Sequence, residues 1–405
     1  MAERPRVALL IETSNAYARE LLRGIRNYVG EHQPWSISLT ERGRGESLPD
    51  WLGKWQGDGI IARLENRAMA EAVKATGLPA VDVSYGLELP LFPRVITDSR
   101  AATRLAANHL LERGFEHFGY CGDPRYHWSN LRSRFFGDHL RQTGHECHVF
   151  GARGLLAAPV RNGDVPAADG GSGRPESRPT GSWEAEVEAI ANWLGRLPKP
   201  IGVMACYDIR GQQVLEACRR RDLPVPDAVA VIGVHNDELL CDLCDPPLSS
   251  VIPNARRAGH EAAALLDRML GGEKLPPMQV LVEPIGVATR QSTDVVAVGD
   301  PQVASAVRFM REHACERIDV SDVLKAVPMS RSVLERRFKK FLGRTPHDQI
   351  IQVKIERVKS LLTTTDLPLA VVAERTGFEH VEYMSVAFKR ATGAAPSEFR
   401  ARNKA

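Results

Sequence analysis

The sequence predicts an α/β chain of two lobes built on parallel sheets, followed by an all-α domain with two helix-turn-helix units. Three observations carry this expectation. From Arg6 to about Ile285, short apolar strand runs alternate with stretches of helical periodicity, the pattern of parallel sheets covered on both faces. After Pro301 the strand runs stop and each segment has helical spacing. Within that tail one pattern occurs twice at an offset of fifty, "FKKFLGRTP" from Phe338 and "FKRATGAAP" from Phe388.

The elements follow in order. Val7 to Ile11 is an apolar strand run, and Tyr17 to Val29 sets Leu21, Leu22, Ile25 and Tyr28 on one helical stripe. Trp35, Ile37 and Leu39 alternate as in a strand, and "GDGIIA" and "LPAVDVS" are two further strand ends. The stretch "VITDSRAATRLAANHLLERGFEHFGYCG" joins a strand to a helix and then to another strand. Several such units over nearly 300 residues of a 405-residue chain imply two lobes rather than one sheet. Between Ala158 and Ser182 the composition turns Gly/Pro/Ser-rich without apolar periodicity, so a disordered loop without chemistry is expected there. The domain limits expected are 1–294 for the body, 295–301 for a linker and 302–405 for the tail.

In the tail, the offset pairs Phe338 with Phe388, Lys339 with Lys389, Lys340 with Arg390, Gly343 with Gly393, Pro346 with Pro396 and Leu334 with Met384. Each copy follows a short apolar helix, Val320 to Val327 or Leu369 to Thr376, and a tight turn. At 100° per residue, Leu334 and Phe338 pointing inward leave Ser332, Arg336 and Lys339 outside, flanked by Arg331 and Glu335. The second copy offers Glu382, Val386 and Lys389 at the same places. Gly343 and Gly393 suit the left-handed residue that ends a helix. Thr345 with Pro346 suits the start of the next one, whose N–H groups can hold a phosphate. A connector from Thr345 to Leu362 spans about 27 Å and sets two recognition helices about 34 Å apart, one turn of DNA.

Charge agrees with this division. The formal +3 hides 19 Lys and Arg against 13 Asp and Glu from residue 300 onward, so the tail is basic and the body mildly acidic. A polyanion partner is therefore expected for the tail alone, although the same surplus also serves simple solubility. The apolar run in "MAERPRVALLIETS" is too short for a signal core or a membrane span, and a cytoplasmic protein with no membrane contact is expected. Seven scattered cysteines fit reduced thiols, and Cys241-x-x-Cys244 lacks the second ligand pair that a zinc site needs. No metal and no cofactor are expected.

On these motifs the tail from about Gln302 to Arg402, above all "GFEHVEYMSVAFKRATGAAPSEFR", resembles the DNA-binding domain of the AraC/XylS regulators. The resemblance implies that Arg331, Ser332, Glu335, Arg336, Lys339, Thr345, Glu382, Val386 and Lys389 contact a double-stranded DNA operator. Glu382 suits cytosine N4 and Val386 a thymine methyl, but neither attracts phosphate, so the first unit is expected to dominate affinity.

The body resembles the sugar-sensing core of the LacI/GalR repressors, itself like a type I periplasmic binding protein. The stretches "DGIIA", "VMACYDIRGQQVLEAC", "LPVPDAVAVIGVHNDELL" and "LSSVIPNARRAGHEAAALLDRMLGG" carry it. That resemblance implies a sugar in a cleft between lobes, held by convergent polar groups and an apolar platform. The residues it implies are Ser14, Asn15 and Tyr17 in the first loop, Asp98 at a strand-to-helix junction, and Trp128 for stacking. It adds Arg134, opening an Arg-x-x-Gly spacing, Asp208 in "CYDIRG", and His235 with Asn236. Each Asp at such a boundary also suits a helix cap. His235 departs from the family, which usually has an aspartate there, so its sugar contact and the sugar's identity stay open.

Together the two resemblances imply a homodimeric, sugar-gated transcription activator that answers to D-xylose and works with RNA polymerase. A carbohydrate-active enzyme with a regulatory tail needs a nucleophile motif, a phosphate loop or paired carboxylates, and none is present. A transport-type sugar-binding module is opposed by the basic tail.

Overall fold

The computed structural model describes residues 4–43, 46, 49–151, 182–294 and 300–403. The stretch expected to be a disordered loop lies outside the described residues except for Ser182, as does most of the expected linker.

The first lobe opens with β1 (Arg6–Leu10), α1 (Ala16–Glu31), β2 (Ser36–Leu39), β3 (Gly59–Ala62), α2 (Arg67–Ala75), β4 (Ala80–Asp82) and β5 (Arg94–Thr97). The chain then crosses to the second lobe through α3 (Ser99–Leu111), β6 (His117–Cys121), α4 (His127–Gln142), β7 (Cys147–Phe150), α5 (Trp183–Leu194), β8 (Ile201–Ala205), α6 (Asp208–Arg220), β9 (Val229–Val234), α7 (Glu238–Leu243) and β10 (Ser249–Ile252). It returns through α8 (Ala255–Leu270) and β11 (Gln279–Val282), and crosses a third time into β12 (Gly286–Ala288). The sheets run β11-β5-β4-β3-β1-β2 and β12-β10-β9-β8-β6-β7. All pairings are parallel except that of β12 with β10. Three crossings by one chain join the two lobes.

The central strands read as unbroken apolar runs because both their faces are covered. Tyr17, Leu21, Ile25 and Tyr28 of α1 pack with Ala258, Ala262 and Leu266 of α8 on one face of the first sheet, and Leu52, Ala70 and Val73 lie on the other. In the second lobe Ala106, Leu110 and Phe136 cover one face, and Ile190, Val214 and Leu248 the other. The strand over Trp35, Ile37 and Leu39 forms at the sheet edge, where Trp35 is buried and Ile37 and Leu39 are exposed.

The tail is helical throughout: α9 (Pro301–His313), α10 (Val320–Ala326), α11 (Arg331–Leu342), α12 (Pro346–Thr364), α13 (Leu369–Arg375), α14 (Val381–Thr392) and α15 (Pro396–Asn403). Asp300 caps α9, so the third domain's first helix begins at Pro301, inside the expected linker. Leu334 and Phe338 fill one core with Val303, Val307 and Met310, and Met384 and Phe388 fill a second with Val358, Leu362 and Val372. Both units end alike, with Gly343 at φ 69° and Gly393 at φ 78°. The 19 residues of α12 reach about 28 Å.

The tail docks on the second lobe. Arg311 pairs with Asp294 at 3.0 Å, Arg344 donates to the Glu112 carbonyl at 3.3 Å, and Gln352 reaches the Glu112 carboxylate at 3.4 Å. Beneath this seam Arg113 donates from Nε to the Thr293 carbonyl at 2.8 Å, and burial lowers its pKa to about 9.

Candidate ligand cleft and nucleic-acid interface

The cleft lies where strand ends of both lobes face each other, as ligand sites of open parallel sheets do. It is half open to solvent and leaves a cavity of about 40 Å³. The first lobe lines it with Tyr17, Arg63, Val83, Ser84, Tyr85, Ile96 and Thr97. Ser99 at the head of α3, Trp128 and Arg132 of α4, and His235 after β9 line it from the other side.

On the first-lobe wall Arg63 forms ion pairs with Glu12 and, at 2.9 Å, with Glu65. Its guanidinium stands 5.5 Å from the Tyr17 ring, and the Tyr17 hydroxyl is 3.3 Å from Thr97 Oγ1. The Ser84 hydroxyl lies 2.8 Å from Asp82 Oδ1 behind the wall. Burial pushes the Asp82 carboxyl up to about 7, against the pull of its Ser84 hydrogen bonds.

On the second-lobe wall Trp128 stacks on Tyr126, with ring centroids 5.2 Å apart, and Arg132 stands 5.1 Å from the Trp128 ring. Arg132 donates to the Cys206 carbonyl at 2.6 Å and lies 3.4 Å from His235 Nε2. His235 has φ 109° and Asn236 φ 48°, conformations unusual for side-chain-bearing residues. The turn is held there by its neighbours. The N–H of His235 donates to the Val251 carbonyl, that of Asn236 to Ser250 Oγ, and that of Asp237 to the Asp208 carboxylate at 2.8 Å.

The expected site residues therefore divide. Tyr17, Trp128 and His235 line the cleft. Arg134 does not: it is exposed, its guanidinium 5.3 Å from the Phe135 ring, and the α4 arginine that lines the cleft is Arg132. The Arg-x-x-Gly spacing falls on the face of α4 turned away from the cleft. Trp128 and Arg132 are four residues apart and share a face, whereas Arg134 is rotated by about 200° from Arg132.

Asp98, Asp208, Ser14, Asn15 and Asn236 are likewise not among the cleft lining. Asp98 caps α3, accepting from the N–H groups of Arg100 and Ala101, and Asn15 caps α1 through Ala18. Asp208 is 3% exposed and accepts from Ser250 Oγ and the Asp237 N–H, so it supports the His235 turn from behind. Ser14 is exposed, and Asn236 accepts from Arg290 at 2.9 Å. The residues missed are Arg63, Ser84, Tyr85, Thr97 and Ser99. They follow strand ends in the way that Tyr17 follows β1, which was the available signal.

In the tail every expected DNA-facing residue is exposed: Arg331, Ser332, Glu335, Arg336, Lys339 and Thr345, and Glu382, Val386 and Lys389. Arg331 is engaged with Glu335 at 3.0 Å, which offsets its charge. Thr345 makes a reciprocal capping box with Asp348, so a carboxylate already sits at the start of α12 where a phosphate was expected. Cys241 and Cys244 are buried, and among the described residues no group of His, Cys, Asp or Glu is arranged to hold a metal. Among the described residues no helix is long and apolar enough to cross a membrane.

Comparison with known proteins gives the same division. Residues 6–99 match a model described as XylR N-terminal domain, 107–293 a periplasmic binding protein-like domain, and 323–402 a helix-turn-helix domain. The chain is similar to the xylose operon regulatory protein of Escherichia coli K12, at 33% identity over 98% of this chain and 97% of that protein. The protein of that name from Haemophilus influenzae is 30% identical over 98% of both. A solved structure of the xylose-binding transcription activator xylR covers 100% of both chains with a TM-score of 0.61 and 32% identity. These relatives are regulators, not enzymes.

Proposed function

Because the chain belongs to the family of xylose operon regulatory proteins, sugar-responsive transcription regulators with a DNA-binding tail, we propose that it takes D-xylose in the cleft between its lobes and passes the event to the tail through α3. One observation carries this reading. Helix α3 begins at the cleft, where Thr97 and Ser99 line the wall, and ends at Glu112, where Arg344 and Gln352 of the tail are bound. Its 13 residues form a rod of about 20 Å between the two sites. A shift of the α3 head when the cleft closes on a sugar moves the platform on which the tail rests.

In the cleft, Trp128 offers a face to the sugar's C–H groups, and Arg132, His235, Ser84 and Thr97 offer hydrogen bonds to its hydroxyls. On the tail, Arg336 and Lys339 of α11 supply charge to the operator, with Glu382, Val386 and Lys389 on α14 adding base contacts. The regulator acts in the cytoplasm as a homodimer on paired half-sites and recruits RNA polymerase as an activator. Calorimetry of the whole chain with D-xylose, L-arabinose, D-ribose and D-glucose tests the ligand. The reading expects D-xylose to bind tightest and is wrong on this point if another sugar does. Arg336→Ala is expected to weaken operator binding at fixed salt by about 1–3 kcal/mol while sugar affinity holds, and equal operator affinity counts against it.

A further inference from the structure

We propose that, within each half-site, α14 reads its segment through thymine methyl groups, with Tyr383 and Val386 as an apolar reading pair, whereas α11 reads by charge. This rests on the reading of the tail as an operator-binding domain.

The two helices fold on one plan. Leu334 and Phe338 in the first, and Met384 and Phe388 in the second, are all 0% exposed, and each helix ends at a left-handed glycine. Their outward faces are therefore comparable position by position, and there they differ. Where α11 has Arg336, α14 has Val386, 66% exposed. Where α11 has Val333, half-buried, α14 has Tyr383, 49% exposed. Tyr383 and Val386 are three apart and so lie side by side on the surface. The Tyr383 ring meets Phe378 at 5.9 Å with their planes 64° apart, which steadies the half-exposed ring.

Charge selects the occupant of this pair. Glu379 and Glu382 stand at the N-terminal end of α14, where phosphate would be repelled, and Lys389 and Arg390 lie one turn beyond Val386. Carboxylates over the reading end and cations behind it fit a helix entering the major groove and held to the backbone by its last turn. In that groove the thymine C5-methyl is the most prominent apolar group on the base edges, and it can receive a valine or the edge of a tyrosine ring.

The test begins with duplexes enriched from a random pool by the whole chain in the presence of D-xylose. Comparison with Arg336→Ala and Val386→Ser assigns, within each half-site, the segments under α11 and under α14. Uracil then replaces thymine, one position at a time, in the segment that responds to Val386. Each methyl under the pair is expected to lower affinity about fourfold when removed, the worth of one buried methyl. In Val386→Ser and Val386→Ala the same replacement should cost little more. Uracil duplexes that bind the parent as tightly as thymine duplexes overturn the proposal. So does a random sequence in the α14 segment, which would leave the apolar pair to a protein partner. Enrichment of no duplex at all contradicts operator binding itself, and this proposal with it.

Discussion

Arg132 Nη2 lies 3.4 Å from His235 Nε2 at the base of the cleft. A guanidinium only donates, so that imidazole nitrogen is the acceptor. The contact joins α4 to the turn after β9, and Trp128, one helical turn before Arg132, completes the second-lobe wall.

Arg132→Ala should therefore remove most sugar binding, while Arg134→Ala leaves it unchanged. A cleft built to pair with hydroxyls loses about 1–3 kcal/mol when one buried partner goes, a loss of about 5- to 150-fold. Titration calorimetry of both variants with D-xylose checks the contrast. Equal losses would show that the arginine in contact with the sugar has been misassigned.

His235 holds an unfavourable backbone conformation and lines the cleft at the same time. His235→Gly should raise stability by about 1 kcal/mol, since glycine adopts positive φ without steric cost, and should weaken sugar binding. His235→Asp keeps an acceptor opposite Arg132 and should preserve or tighten binding of a xylose-like sugar. Denaturant unfolding and calorimetry of the two variants separate backbone strain from ligand contact.

Asp208 gives the fold a pH dependence. Burial pushes its carboxyl from 3.8 up to about 7, and its hydrogen bonds from Ser250 and Asp237 restore only part of the shift. The folded pKa lies above the unfolded one, so the native state keeps a proton that the unfolded chain has already lost. That contribution is complete below about pH 4 and disappears as the pH rises through about 7. Asp208→Asn should flatten the fall of the unfolding midpoint between about pH 4 and 7 relative to the parent, measured by thermal melts across that range.

Gly343→Ala and Gly393→Ala should each cost about 1 kcal/mol. A Cβ at either position meets nothing within 4 Å, so the penalty comes from the left-handed backbone and not from crowding. Chemical denaturation of the whole chain, followed by helical signal, measures it. A neutral result at both sites would mean that the helices end without needing glycine.

The repeated tail was legible in the sequence because its signals are local. Leu334 and Phe338 lie on one helical stripe with Gly343 as its stop, and Met384 and Phe388 on another with Gly393, each set within a few turns. The lobes were legible from unbroken apolar strands. The cleft was less so, because its walls come together through three crossings that no local pattern records. Thr97 and Tyr17 lie 80 residues apart yet share a hydrogen bond at 3.3 Å. Asp98, Asp208 and Asn15 sit at strand-to-helix junctions where capping and ligand contact look the same in sequence, and two of the three turned out to be caps. Asp208, the third, braces a turn from a different strand end, which only the tertiary structure reveals.

The most direct test of sugar-gated operator binding is a fluorescence anisotropy titration of the whole chain against an enriched duplex, with and without saturating D-xylose. The account predicts a change in duplex affinity of about 5- to 150-fold, the usual range of coupling between two sites. It also predicts that Arg132→Ala abolishes the change while duplex binding without sugar persists. An affinity unaffected by a sugar that calorimetry shows to be bound would contradict it.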